Sequence, residues 1–197
     1  MKCYLKFQNK FKDLIWSITT FLGKMGFYIQ GVQFGENLKI RGRILLSNFG
    51  DVKIGNCCTI NSSQVANMTA GDRCAINVIS GILTIGDNTG ISNAHISCAR
   101  AITIGSNVLI GGGVKIFDTD FHPLQPIYRY GKMRDNRRTN TSEVVIEDGA
   151  FIGAETIVLK GSHIGKNSIV GAGSVVTGTI PDNEVWAGQP ARFIKKI

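Results

Sequence analysis

The sequence predicts an all-β chain wound as a parallel β-helix, preceded by one amphipathic helix and interrupted by one long loop. Three observations carry that prediction. Branched aliphatic residues recur six apart, 24 glycines against 4 prolines demand many tight turns, and the period of six lapses between Ile116 and Val144. Six matches neither the 3.6-residue period of an α-helix nor the simple alternation of a hairpin strand. It suits a triangular coil in which each hexad supplies one short strand and one corner, and three hexads close a rung. Stacked rungs ladder their strands in parallel and bury a core that no single rung can form.

Residues 1–30 form the first segment. Phe7, Phe11, Leu14, Ile15, Ile18, Phe21, Leu22 and Met25 recur at helical spacing. Basic residues precede the run "LIWSITTFLG", which is too short to span a bilayer and lacks a small-residue cleavage site. Two roles fit: a lid packed on the coil, or a basic amphipathic anchor. The expected location is cytoplasmic, with the anchor reading adding a peripheral hold on the inner membrane surface.

The coil is expected over residues 31–180. Its clearest hexads place Ile146, Ile152, Val158, Ile164, Val170 and Val176 six apart, with Ala150, Thr156, Ser162, Ser168 and Ser174 in a second phase. The same spacing joins Ile54 to Ile60, Ile85 to Ile91, and Ile104, Ile110 and Ile116. Corners such as "IGNC", "IGDN", "IGSN" and "IGKN" supply residues that tolerate positive φ. His95 falls in a slot that other hexads fill with a small residue, which predicts a buried structural histidine, and His163 is expected at an exposed corner.

Charge and cysteines narrow the function classes. The chain has 22 Lys and Arg against 14 Asp and Glu, a net +8, gathered in the first 24 residues, in "YRYGKMRDNRR" and in "PARFIKK". Neither an aromatic-interleaved RNA motif nor zinc-finger spacing accompanies it, so no nucleic-acid partner is expected. Cys3, Cys57, Cys58, Cys74 and Cys98 form an odd set without CxxC spacing, which predicts small core residues in a reducing compartment.

The hexads resemble the left-handed parallel β-helix of the hexapeptide-repeat acyltransferases over residues 31–190, and the left hand is implied by that resemblance alone. The loop 117–143 opens with "FDTDFHPL", whose aromatic and proline residues favour a fixed path, and continues with "MRDNRRTNTSE", which reads as solvated and mobile. Its opening is similar to the loop that carries the catalytic histidine of the sugar, antibiotic and polysaccharide acetyltransferases. That implies His122 as general base, a task a neutral imidazole performs near pH 7, with Asp118 or Asp120 orienting the ring. Asn93 falls where sugar-acetylating members place an asparagine near the acceptor. The carbonic anhydrases of this fold hold zinc with a closely spaced histidine pair that His122 lacks, so no metal is expected.

The C-terminal coils and the tail 181–197 resemble the family's donor-binding end. Phe151, Ala154, Ala172 and Thr177 would line a pantetheine slot, the Ala154 amide facing the thioester oxygen, and Arg192 and Lys195 would meet the nucleotide phosphates. Gly178 departs from the pattern, because sugar-acetylating relatives often carry lysine there. The resemblance implies acetyl-CoA as donor, a homotrimer with sites between coils, and O-acetylation of a carbohydrate hydroxyl, favouring a surface or capsular saccharide over serine, whose acetyltransferases resemble a larger chain with a long helical N-terminal domain. A free sugar, an antibiotic, an amino-sugar nitrogen, or a non-catalytic β-helix scaffold are the competing readings.

Overall fold

A computed structural model describes residues 2–63 and 73–197, with side chains from residue 12 onward; Cys3, Phe7 and Phe11 therefore lie outside the described side chains. Three parallel sheets form the faces of a triangular coil. The first holds seven strands, Gln33–Phe34, Asp51–Ile54, Ile82–Ile85, Ala101–Ile104, Val144–Ile146, His163–Ile164 and Thr179–Ile180. The second runs from Lys39–Gly42 through Thr59–Ser62, Gly90–Ser92, Leu109–Ile110, Phe151–Ile152 and Ile169–Val170 to Glu184–Ala187, and Arg192–Lys196 pairs antiparallel on its last edge. The third stacks Leu45–Asn48, Ala75–Val78, His95–Cys98, Lys115–Phe117, Ile157–Val158 and Val175–Val176.

The two sequence phases are the two inward positions of each strand. Ile60, Ile91, Ile110, Ile152 and Val170 form one aliphatic column in register, and Ile76, Ile96, Ile116, Val158 and Val176 form another. Two residues before each stands the second inward side chain: Cys58, Thr89, Val108, Ala150 and Ser168 in the one case, Cys74, Ala94, Val114, Thr156 and Ser174 in the other, all buried. His95 corrects its expectation. Ala94 holds the small slot, and His95 projects outward beside Ala75 and Lys115 in the ladder, exposed.

Between the first and second faces, Asn37, Cys57, Asn88, Asn107, Asn167 and Asn183 turn the corner with φ between 54° and 58°. Asparagine tolerates this left-handed conformation better than most residues. Stacking the corners one above another is what repeats the "IGxN" signature.

Helix α1, Lys2–Ile29, closes the first end of the coil. The edge strand Lys39–Gly42 would present unpaired groups. Thr19 and Thr20 hydroxyls donate to the Ile40 carbonyl at 2.9 and 2.8 Å, and Thr20 Oγ1 accepts from the Ile40 amide at 3.0 Å. Phe27 is buried against Phe34, with ring centroids 6.3 Å apart. Gly31, at φ 72°, ends the helix; its amide bonds the Tyr28 carbonyl and the Val32 amide that of Phe27, satisfying two orphan carbonyls. At the far end Trp186 packs on the core and meets Phe193 edge to face at 6.5 Å.

Candidate active site

The loop leaves the third face after Phe117 and re-enters the first at Val144. Its base is zipped. Thr119 and Thr141 form an antiparallel bridge, the Ser142 amide donates to the Asp118 carbonyl at 2.9 Å, and the Asp120 amide donates to the Asn140 carbonyl at 3.1 Å. Asp118 is fully buried, and its carboxylate accepts three amides of the preceding turn: Ala99 at 2.7 Å, Arg100 at 2.7 Å and Ala101 at 2.8 Å. Burial, and then the neighbouring Asp118 charge, push the Cys98 thiol up to about 12.

Asp118 therefore anchors the loop and does not orient His122, which corrects half of the sequence expectation. Asp120 pairs through Oδ1 with Lys160 Nζ at 3.3 Å, while its buried Oδ2 has no hydrogen-bond partner among the described residues. Phe121, at φ 61°, makes the next turn; its amide donates to Thr119 Oγ1 at 3.1 Å and its ring meets Phe117 at 5.2 Å. The His122 amide then donates to the Asp120 carbonyl at 2.7 Å, Pro123 is buried, and the His122 side chain is exposed. A tight, doubly anchored turn thus presents an imidazole to the outside.

The rest of the loop carries more order than its polar composition predicts. It folds into a short helix, Pro126–Arg129, and two 3-10 turns, Gly131–Met133 and Asn136–Arg138. Asp135 organises the second turn: its side chain accepts from the Arg137 amide at 3.2 Å and from Arg137 Nε at 2.8 Å, and its backbone amide bonds Tyr128. The Arg137 guanidinium holds the Asp135 carboxyl below its usual value. Arg138 lies over the Tyr128 ring at 4.2 Å.

The expected donor residues fall on a different edge. Ala154 and Ala172 occupy the corner between the second and third faces, one coil apart, and the Gly173 amide donates to the Ala154 carbonyl at 2.8 Å. Coils approach so closely here that a Cβ on Gly153 would stand 2.5 Å from the Ala172 nitrogen. The Ala154 amide has no acceptor among the described residues. Ala172 and Phe151 are exposed, Phe151 on the outer side of the second face between Leu109 and Ile169. Thr177 and Arg192 line one cleft of about 80 Å³ with Thr179 and Trp186. Lys195 is exposed on the same terminal strand as Arg192.

Asn93, expected near the acceptor, lies away from the loop's root. It belongs to the same corner as Ala154 and Ala172, at φ 42°, and is fully buried. Its amide donates to the Asn61 carbonyl at 2.8 Å and its carbonyl accepts from the Gly113 amide at 3.2 Å, so its backbone makes the bend. His163 corrects its expectation: it stands half-buried in the strand His163–Ile164 and not at an exposed corner, and it bonds Glu147 at 2.6 Å on the outer side of the first face. Among the described residues no three His, Cys, Asp or Glu side chains gather closely enough to hold a metal ion. Sequence reasoning missed Lys160 and the anchoring role of Asp118; the sole signal was an aspartate placed directly after the last residue of an interrupted strand.

Stacked hexads with one anchored, histidine-bearing loop define a transferase of the hexapeptide-repeat class. Residues 143–178 match the family described as "Bacterial transferase hexapeptide (six repeats)". The chain is 36% identical over 150 residues to WbbJ of Escherichia coli strain K12, named for O-acetyl transfer in lipopolysaccharide biosynthesis, covering 73% of this chain and 74% of that one. It is 44% identical over 96 residues to the galactoside O-acetyltransferase of Lactococcus lactis, covering 49% of this chain and 44% of that protein. The crystal structure of a Vibrio cholerae hexapeptide-repeat acetyltransferase complexed with acetyl-CoA matches with TM-score 0.54 at 31% identity, over 61% of this chain and 64% of that one. The chain belongs to the hexapeptide-repeat acyltransferase family, and its coil is the left-handed parallel β-helix of that family.

Proposed function

We propose that this chain is an acetyl-CoA-dependent O-acetyltransferase acting on a carbohydrate hydroxyl of a surface saccharide, with His122 as general base. The observation that carries the reading is the exposed imidazole held on a turn anchored by the buried Asp118 carboxylate. Neutral His122 would take the proton of the acceptor hydroxyl as its oxygen attacks the thioester carbonyl. The Ala154 amide, without an acceptor among the described residues, would donate to the tetrahedral oxyanion. Collapse would break the carbon–sulfur bond, and the imidazolium would return the proton to the departing CoA thiolate.

The residues proposed for the donor half and for the base half stand at opposite ends of the third face. The loop roots between the third and first faces, whereas Ala154 and Ala172 lie between the second and third. Strands of two to four residues separate them, about 7 to 13 Å of backbone. This supports a homotrimer in which His122 of one copy faces donor held by the corner of the next. The lipopolysaccharide role in the name of the Escherichia coli relative and the net +8 charge both favour an anionic saccharide acceptor, and acetyl-CoA supply favours the cytoplasmic side. An amino-sugar nitrogen is the second acceptor class to assay.

The test pairs two variants. His122→Ala should bind acetyl-CoA like wild type while acetyl transfer falls by about 10² to 10⁴-fold, the usual scale for a lost base. Ala172→Phe fills the exposed donor corner and should abolish acetyl-CoA binding. Co-assembled, the two inactive chains should recover turnover at mixed interfaces. Full activity in His122→Ala removes the base; mixed trimers without recovery place both halves within one chain.

A further inference from the structure

Helix α1 has two apolar faces, and the coil uses one of them. Thr19, Thr20, Gly23 and Phe27 meet the coil, and the described hydrogen bonds and ring contacts between helix and coil run from Trp16 to Gln30. Away from that contact, Leu14, Ile18, Phe21, Leu22, Met25 and Ile29 recur at spacings of three and four and fill one stripe. Phe21 is 64% exposed, Leu22 61% and Ile29 75%, far more than a helix packed only for stability leaves in water. Across the groove of about 500 Å³ beside the helix, Leu45 of the first coil adds a further exposed apolar side chain.

The charge of the helix says what covers the stripe. It carries Lys2, Lys6, Lys10, Lys12 and Lys24 against Asp13 alone, and none of the six falls at a stripe position. An apolar stripe on a helix of net positive charge is the composition of a segment that lies in a bilayer interface. A second copy would fit worse, since joining two such stripes brings two helices of like charge together. No described helix is long and apolar enough to cross a membrane. We propose that the outer stripe of α1 docks the protein in the plane of an anionic lipid surface, while the opposite face stays on the coil.

The inference stands independently of the acceptor. Full-length protein should float with vesicles containing phosphatidylglycerol at least about tenfold more tightly than with pure phosphatidylcholine, and should release as salt rises, because each lysine near such a surface contributes a favourable charge interaction. Ile18→Gln combined with Phe21→Gln leaves Thr19, Thr20, Gly23 and Phe27 in place, and should reduce binding to the phosphatidylglycerol vesicles about tenfold or more. Circular dichroism and light scattering would report its fold and mass. Wild type that fails to float with anionic vesicles overturns the proposal, as does a folded variant that floats equally well. A variant that falls apart into smaller species also overturns it, by assigning the stripe to contact between copies.

Discussion

Removing the Asp118 carboxylate tests whether the loop is held by its root. Three amides donate to it at 2.7, 2.7 and 2.8 Å. A hydrogen bond to a charged group contributes about 1.5–3 kcal/mol, so three would set an upper bound near 9 kcal/mol. The donors are not sealed: Arg100 is exposed and Ala99 and Ala101 are half-buried, so water reaches part of the turn once the carboxylate is gone. Taking about 1 kcal/mol per bond, Asp118→Ala should destabilise the protein by about 3 kcal/mol. Asp118→Asn keeps one acceptor oxygen but turns an NH2 toward an amide, and should cost about 2 kcal/mol. Urea unfolding at fixed chain concentration measures the total, and amide exchange at residues 99–101 localises it. With His122 as the proposed base, held by this anchor without contact to substrate, kcat should fall while the KM for acetyl-CoA stays near wild type. An Asp118→Ala protein within about 0.5 kcal/mol of wild type, with exchange at 99–101 unchanged, would refute the anchoring argument.

Two further outcomes follow from single residues. Gly178 is exposed and a Cβ built there meets nothing within 4 Å, so Gly178→Lys should fold normally and tighten CoA binding by about fivefold through one solvent-exposed phosphate contact; unchanged affinity in calorimetry would move the phosphates elsewhere. Burial raises the Cys58 thiol and pushes Cys74 up to about 11 and Cys98 up to about 12, from an ordinary value of 9.0. Between about pH 9 and 12 the unfolded chain then loses thiol protons that the native chain keeps, so stability should fall as pH rises through that window, and a rise would contradict it. At pH 8 a thiol reagent should label Cys57 alone among the described cysteines of the native protein.

The coil was legible because its determinants are local and repeated. Every rung votes on the phase of Ile152, Val158 and Ile164, and the corner asparagines vote again, so one sequence contains many measurements of the same geometry. His95 was misplaced because the inward residues Ile91 and Ile96 stand five apart and not six: with Ala94 adjacent, a shift of one residue turns an inward slot outward. The loop's fixed opening could be read from its aromatic and proline content. Its far half could not, because Asp135 capping Arg137 and Arg138 lying on Tyr128 are contacts between polar residues that look equally at home in water. The anchor was invisible for a different reason. Asp118 bonds amides 17 to 19 residues earlier in the chain, which become neighbours only once the rungs have stacked.

The insertion is silent to the ladders on either side of it. Ile104 pairs with Ile146 and Ile116 with Val158, in the register they would keep if the third face turned directly into the first. A coil can therefore extrude a loop at a corner without loss of core, but the ladders do not fix where that loop points. The Asp118 carboxylate, the Thr119–Thr141 bridge and the Lys160–Asp120 pair supply that direction, and each of them sits on the same corner. The proposed donor corner lies across the third face, so a loop fixed to its own corner would be kept from its own Ala154. Under the function proposed above, a rigid stem would make assembly part of catalysis. Diluting the enzyme into dissociation should lower turnover per chain, whereas a loop able to fold back onto its own donor corner would keep turnover constant at every concentration; single-turnover acetyl transfer over a dilution series, with mass measured in parallel, decides between the two.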